Sequence, residues 1–418
     1  MKKLIALIIV LCLAFAGLVG YLANSQTAGP MVTAAPEDSE PAPDMAEPTP
    51  DASVGTEEPD ADSAEPEEAA APDYAAIYAL HAPEDVVLTV DGQDVTWGKY
   101  FYMLFTQAQQ MTSYFDTLAY YYGMEQSWDD EYADGVTYAQ VAVDSAEDTL
   151  VQLAAIKGFA AANNVALPED VQTLLDEQLQ ADITAACGEG ATEADFEAYL
   201  SEIYMDLDLY RWIYETNFLY QQNYLQLYGE NGELFDEAAA LAWLEDNGYL
   251  SASHILLMTI DQATGEALDE ATVQQKLSDA QAIAAELQAI ADTDELLARF
   301  AQIKAERCED TGKVAYPDGY TFTPGTMVTE FEDTVNALGA YQVSDVVETS
   351  YGYHVIMRLP LSTDAVIQFA SDGVTPMTAK SMASNEEYGA RLQAYYDDLS
   401  IEYVNGFEPV DLMDYIVK

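Results

Sequence analysis

Of the three histidines in the chain, two sit inside apolar, strand-like stretches: His254 in "SASHILLM" and His354 in "TSYGYHVIM". An imidazole can move a proton, ligate a metal or anchor hydrogen bonds, and each use needs partners. No CxxC pair or His/Cys cluster accompanies them, so neither a metal nor another cofactor is expected. GxSxG, HExxH and Ser/Lys arrangements are absent too, which disfavours a hydrolase. His81, the third histidine, stands apart at the edge of a polar segment. Taken singly, each strand histidine reads as a satisfied core residue. Their companions suggest more. Asp310 lies in "CEDTGK", while Met327 and Phe331 in "GTMVTEFED" are spaced to share one helix face.

The elements that must hold these residues lie in an α+β stretch, 249–361. A strand ("LSASHILLM") leads to helices at about 270–290 and 293–305, then to an irregular Gly/Pro/Asp stretch from Cys308 to Gly325. A short helix ("MVTEFEDTVNAL") and strands "SDVVET" and "YGYHVIMRL" complete it. The preceding block, 74–248, is helical after an initial strand and DG turn, with Thr96 as the expected N-cap of a helix over 97–122. Further helices are predicted at 138–163, 168–186, 192–202, 205–228 and 236–248. The helix at 168–186 should open on "LPED" with acids in its first turn. Tyrosine is abundant here, as in "YFDTLAYYYGM". Most of it suits an aromatic core, while an amphipathic groove that holds unfolded peptide would use the rest. Residues 362–418 return to helix and then strand.

Lys+Arg 14 against Asp+Glu 74 gives a net charge of −60, so no nucleic-acid partner is expected. Residues 1–25 begin with two lysines and an apolar run, predicting a secretory leader or an uncleaved membrane anchor with the remainder outside the cytoplasm. Cys12 follows bulky Leu11, which argues against a lipoprotein site. Residues 26–73, rich in Pro, Ala, Glu and Asp, should form a disordered, self-repelling tether. Cys187 and Cys308 are expected as two unconnected thiols.

Read in order, "SHILL", "CEDTGK", "FTPGTMVTEFE" and "TSYGYHVI" resemble the parvulin family of peptidyl-prolyl cis/trans isomerases over about 250–360. The helical block with its returning C-terminal segment resembles the chaperone domain of bacterial PrsA/SurA-type foldases. The fold implied is a parvulin-like module, an antiparallel sheet with flanking helices, inserted in a mostly α-helical chaperone-like domain. The resemblance implies catalysis without bond making, on exported, unfolded or newly secreted polypeptides with X-Pro bonds. It also implies that His254 and His354 lie side by side, hydrogen-bonded to each other, and that Thr349 supports them. Asp310 would face the substrate carbonyl, with Met327, Phe331, Phe322 and Leu256 around the prolyl ring. A parvulin site decayed to a non-enzymatic peptide holder is the alternative.

There are departures from the pattern. Many parvulins carry Gly-Gly-Asp-Leu-Gly before the Met-bearing helix, whereas "PDGYTF" keeps Asp318 and Phe322 and changes one wall. Cys308, where a serine is usual, reads as incidental. The loop "DQATGEALDE" has acids and no Arg or Lys, so no phosphate-directed preference is expected.

Overall fold

The computed structural model describes residues 71–417 apart from Asp134, Glu169 and Asp372. The expected leader and nearly all of the expected tether lie outside the described residues. Among the described residues, no helix is long and apolar enough to cross a membrane. Two compact units emerge: residues 71–226 with 389–417, and residues 227–388.

The first unit is mainly helical. Strands Val86–Val90 and Gln93–Thr96 form a hairpin across Asp91 and Gly92, both at positive φ (47° and 74°), the twist a two-residue DG turn requires. Strand Ile401–Tyr403 adds to the other edge of Val86–Val90, antiparallel. Thr96 does stand at the N-cap of helix Trp97–Tyr122, but its side chain makes no capping bond. The neighbouring helices are Tyr138–Ala162, Val171–Cys187, Glu193–Ser201 and Leu207–Tyr228. The third helix begins three residues past Pro168, so its first turn carries no acid, contrary to the expectation from "LPED". Asp170 becomes its N-cap instead, with αR backbone and no side-chain cap bond. The aromatic residues divide between core and surface. Trp97, Tyr100 and Phe101 are fully buried, while Tyr120, Tyr121 and Tyr122 are 82%, 72% and 70% exposed.

The second unit is built on one strand. β1 (Leu250–Met258) is followed by α1 (Glu270–Gln288) and α2 (Thr293–Arg307), then β2 (Tyr320–Phe322) and α3 (Thr329–Ala337). β3 (Val347–Thr349) and β4 (Gly352–Leu359) come last. The sheet order is β2-β1-β4-β3, antiparallel throughout. Side chains alternate across a strand. Ile255, Leu257, Val355 and Met357 therefore face one way, into a core with Ala280, Ile283, Leu287 and Phe300 of α1 and α2. Ala252 and Ile356 face the other way, against Phe322 and against Phe331 and Val335 of α3. Both faces are covered, which is why these strands read as continuous apolar runs. Neither Cys187 nor Cys308 forms a disulfide.

The β1–β4 pairing leaves no room at Gly352. Its φ of +144° is one that L side chains rarely adopt, and an added Cβ would collide with the carbonyl oxygen of Leu257 and lie 2.8 Å from Met258 Cα. Gly352→Ala should therefore lower the opening free energy of β1 amides by about 3 kcal/mol, read by native-state hydrogen exchange. Unchanged protection along Leu250–Met258 would refute this account of the pairing.

Candidate active site

Pairing register creates the site. His254 lies opposite Ile356, and Leu256 opposite His354. The two histidines thus occupy a diagonal on one sheet face, with ring centroids 5.1 Å apart and ring planes at 74°. The expected imidazole–imidazole hydrogen bond is not made. His254 turns Nε2 toward Asp310 Oδ2 at 3.1 Å, and His354 turns Nε2 toward Thr349 Oγ1 at 2.8 Å. Both Nδ1 atoms are buried without a hydrogen-bond partner. Each ring has found a stronger, angularly better partner in an oxygen than in its neighbour's nitrogen.

Asp310 reaches His254 because the chain leaving α2 runs along the edge of β1 beyond the end of β2. Glu309 donates its N–H to Leu256 O at 2.9 Å, and Leu256 N–H donates to Cys308 Sγ at 3.4 Å. Cys308 is consequently not incidental: it is buried in the core under the site and docks the acid-bearing segment. Asp310 Oδ1 accepts from Gly312 N–H at 2.9 Å, and Oδ2 also accepts from the Tyr320 hydroxyl at 2.6 Å. Gly312 has to be small, since a Cβ there would strike that hydroxyl.

Tyr320 escaped the sequence reading. It occupies the altered "PDGYTF" wall, its ring centroid 5.6 Å from that of His254. The available signal was strand alternation, because Tyr320 is two residues from Phe322 and shares its face.

Charge follows from these bonds. Burial pushes the Asp310 carboxyl upward, but hydrogen bonds from His254, Tyr320 and the Gly312 amide outweigh it and hold the group well below the usual carboxylate range. Burial likewise pushes His254 down, yet Asp310, with Cys308 beside it, more than compensates and leaves this imidazole raised above its ordinary 6.5. His354 has no such partner. Burial, with the charge on His254 adding to it, lowers it to about 3, so it is neutral at physiological pH.

Above this floor opens a cleft of about 720 Å³ whose lining includes His254, Leu256, Asp310, Met327, Phe331 and His354, together with Tyr320, Met258, Gln262 and Tyr351. Six of the eight sequence-predicted site residues therefore line one cavity. Thr349 lies behind His354. Phe322 does not line the cleft: it is buried behind Phe331, ring centroids 5.9 Å apart, and supports the wall from within. The cleft offers an apolar seat for a small ring, facing a fixed anion.

A sequence model of the PPIC-type PPIase (rotamase) domain matches residues 254–359, the segment that carries all of these groups. This segment is similar to parvulin-type domains. Over a longer stretch, the chain is similar to the foldase protein PrsA of Oceanobacillus iheyensis: 26% identical over 212 residues, covering 50% of this chain and 58% of that protein. PrsA of a Geobacillus species is 45% identical over 60 residues, 14% of this chain and 21% of its own length. The chaperone SurA of Shewanella denitrificans is 30% identical over 115 residues, 27% of this chain and 25% of its own. The chain thus spans little more than half the length of the first of these relatives.

Histidine side-chain NMR of the isotope-labelled protein should show His254 titrating above 6.5 and His354 remaining neutral down to about pH 3. The unfolded chain then binds more protons than the folded one between about pH 6.5 and 3 at position 354. The stability advantage of wild type over His354→Gln should accordingly shrink as pH falls through that window, by up to about 1.4 kcal/mol per pH unit. His254 runs the other way: its contribution is complete below about 6.5 and lost as pH rises through its raised folded value. Equal titration of both rings would sink this assignment.

Proposed function

We propose that the 227–388 unit catalyses cis/trans isomerisation of X-Pro bonds and that the chain is an exported foldase acting on unfolded or newly secreted polypeptides. The observation that carries this reading is the apolar seat of Met327, Phe331 and Leu256 facing an ionised Asp310.

The barrier to be lowered, about 18–20 kcal/mol, is the loss of C–N conjugation. Planar amide resonance places negative charge on the carbonyl oxygen and removes it from nitrogen. Twisting reverses that transfer. An anion fixed beside the carbonyl disfavours the planar form more than the twisted one, and an apolar wall that grips the prolyl ring favours the less polar twisted state. Asp310 supplies the anion. Tyr320, His254 and the Gly312 amide keep it ionised and aimed without being consumed. The neutral His354, tied to Thr349, fills the floor beneath. No proton has to cross between groups.

The helical unit is assigned the holding of unfolded segments. Its exposed tyrosines, Tyr120, Tyr121, Tyr122 and Tyr132, present apolar area with polar tips. The apolar run after two lysines supports export and N-terminal anchoring, or release if that run is cleaved. Non-phosphorylated X-Pro segments are the assigned substrates: "DQATGEALDE" is acidic, and Lys276 beside the site is held by Glu309 at 2.6 Å. The same exposed tyrosines favour a second reading, a peptide holder without turnover.

A proline-containing tetrapeptide assay separates the two. Wild type should accelerate isomerisation. Asp310→Ala should reduce kcat/KM by about 100-fold, and Tyr320→Phe by about tenfold as Asp310 loses one charge-assisted hydrogen bond. If folded wild type shows no rate above background while still suppressing client aggregation, the holder reading stands and the enzyme assignment fails.

A further inference from the structure

Three side chains of the helical unit converge at a place the isomerase chemistry does not use. Lys99 stands in the first turn of helix Trp97–Tyr122, Lys157 late in helix Tyr138–Ala162, and Trp212 in helix Leu207–Tyr228. Lys99 Nζ lies 4.6 Å from the Trp212 ring centroid and Lys157 Nζ 4.9 Å from it. All three side chains are half-buried. Arg211, Lys276, Arg299, Arg307 and Lys380 each sit against a carboxylate. Among the described residues, Lys99 and Lys157 have neither an ion pair nor a hydrogen bond at the ammonium, only the indole they share.

In a chain with 14 basic and 74 acidic residues, two such cations held together are anomalous. Burial lowers both lysines, Lys157 to about 8, where the charge of Lys99 adds to the effect. Asp94 and Asp206 favour the charged form of Lys99, and Glu215 that of Lys157, yet none closes to ion-pair distance. Like charges confined against one indole leave an electrostatic deficit that an incoming anion would relieve.

We infer that Lys99, Lys157 and Trp212 form a carboxylate-binding site, taking the acid of a client polypeptide with its apolar neighbour laid on the indole. The inference deepens the peptide-holding role and rests on it. A monoanion fits better than a dianion, because Asp94, Asp206 and Glu215 surround the site with negative charge that repels the second charge. On a surface of net charge −60, this is also the place where an acidic segment would be attracted rather than repelled.

The test is competitive acylation of the full-length wild-type chain by limiting acetic anhydride at pH 8, with each lysine read by mass spectrometry. A short N-acetylated peptide ending in Phe with a free carboxylate should slow acylation of Lys99 and Lys157 about fivefold and leave Lys380 unchanged. The same peptide as its C-terminal amide should give no protection. An amide carrying one internal Glu tells whether a side-chain carboxylate serves as well as a terminal one. Trp212→Leu, if folded, should lose the protection. No protection by either acid-bearing peptide, or equal protection by the uncharged amide, overturns the site. Inorganic phosphate protecting as well as the peptide acids overturns the peptide assignment and leaves a bare anion site. The readout involves neither turnover nor aggregation, so a negative result in a chain that still suppresses client aggregation removes this site alone.

Discussion

The antiparallel register between Leu250–Met258 and Gly352–Leu359 is the constraint on which the rest of the 227–388 unit depends. It places His254 and His354 on one face and Ile255, Leu257, Val355 and Met357 on the other. A slip of one residue in either strand would invert that strand's faces, sending its imidazole into the helix-packed core and greasy side chains into the cleft. Burying such groups without partners costs several kcal/mol, while each apolar side chain exposed forfeits about 1.5–3 kcal/mol. Covering both faces therefore does two jobs. It stabilises the sheet, and it leaves the histidines one possible location.

On that floor, one carboxylate organises the electrostatics. Asp310 collects three donors from a strand histidine, a strand tyrosine and a turn amide, so its position is over-determined before any substrate arrives. The same arrangement splits the two histidines. One is held by an anion, and the other is left to a hydroxyl and to burial. Chemically identical side chains about 5 Å apart thereby have pKa values moved in opposite directions. The altered wall also gains a rationale. It carries Tyr320 over the acid, and Gly312 yields the space for it.

Much of this was legible in the chain. Helix extents such as 97–122 and 293–305, the strand histidines and the Met327/Phe331 face all follow from periodicity, because side-chain spacing along an element is a local property. What eluded the sequence is angular. Whether an imidazole bonds its neighbour, a carboxylate or a threonine depends on approach directions that no spacing encodes. Tyr320 meets Asp310 only because a short 3-10 turn, Thr311–Val314, folds the intervening loop back. Cys308 gained its place through a backbone amide of a strand far away in sequence. The Lys99–Lys157–Trp212 cluster was equally invisible, since three helices contribute one member each.

The edge strand Ile401–Tyr403 has a temporal implication. Its partner, Val86–Val90, is made more than three hundred residues earlier, with the entire 227–388 unit in between. A chain emerging from the ribosome therefore offers the sheet of the helical unit an incomplete edge throughout synthesis of the insert. The later-made unit has all of its own strands in hand first. Sequestering that insert early shortens the loop that must close afterwards, since a folded body replaces a long flexible span. The polypeptide proposed to help others reach their native form thus has a maturation order of its own, inside before outside.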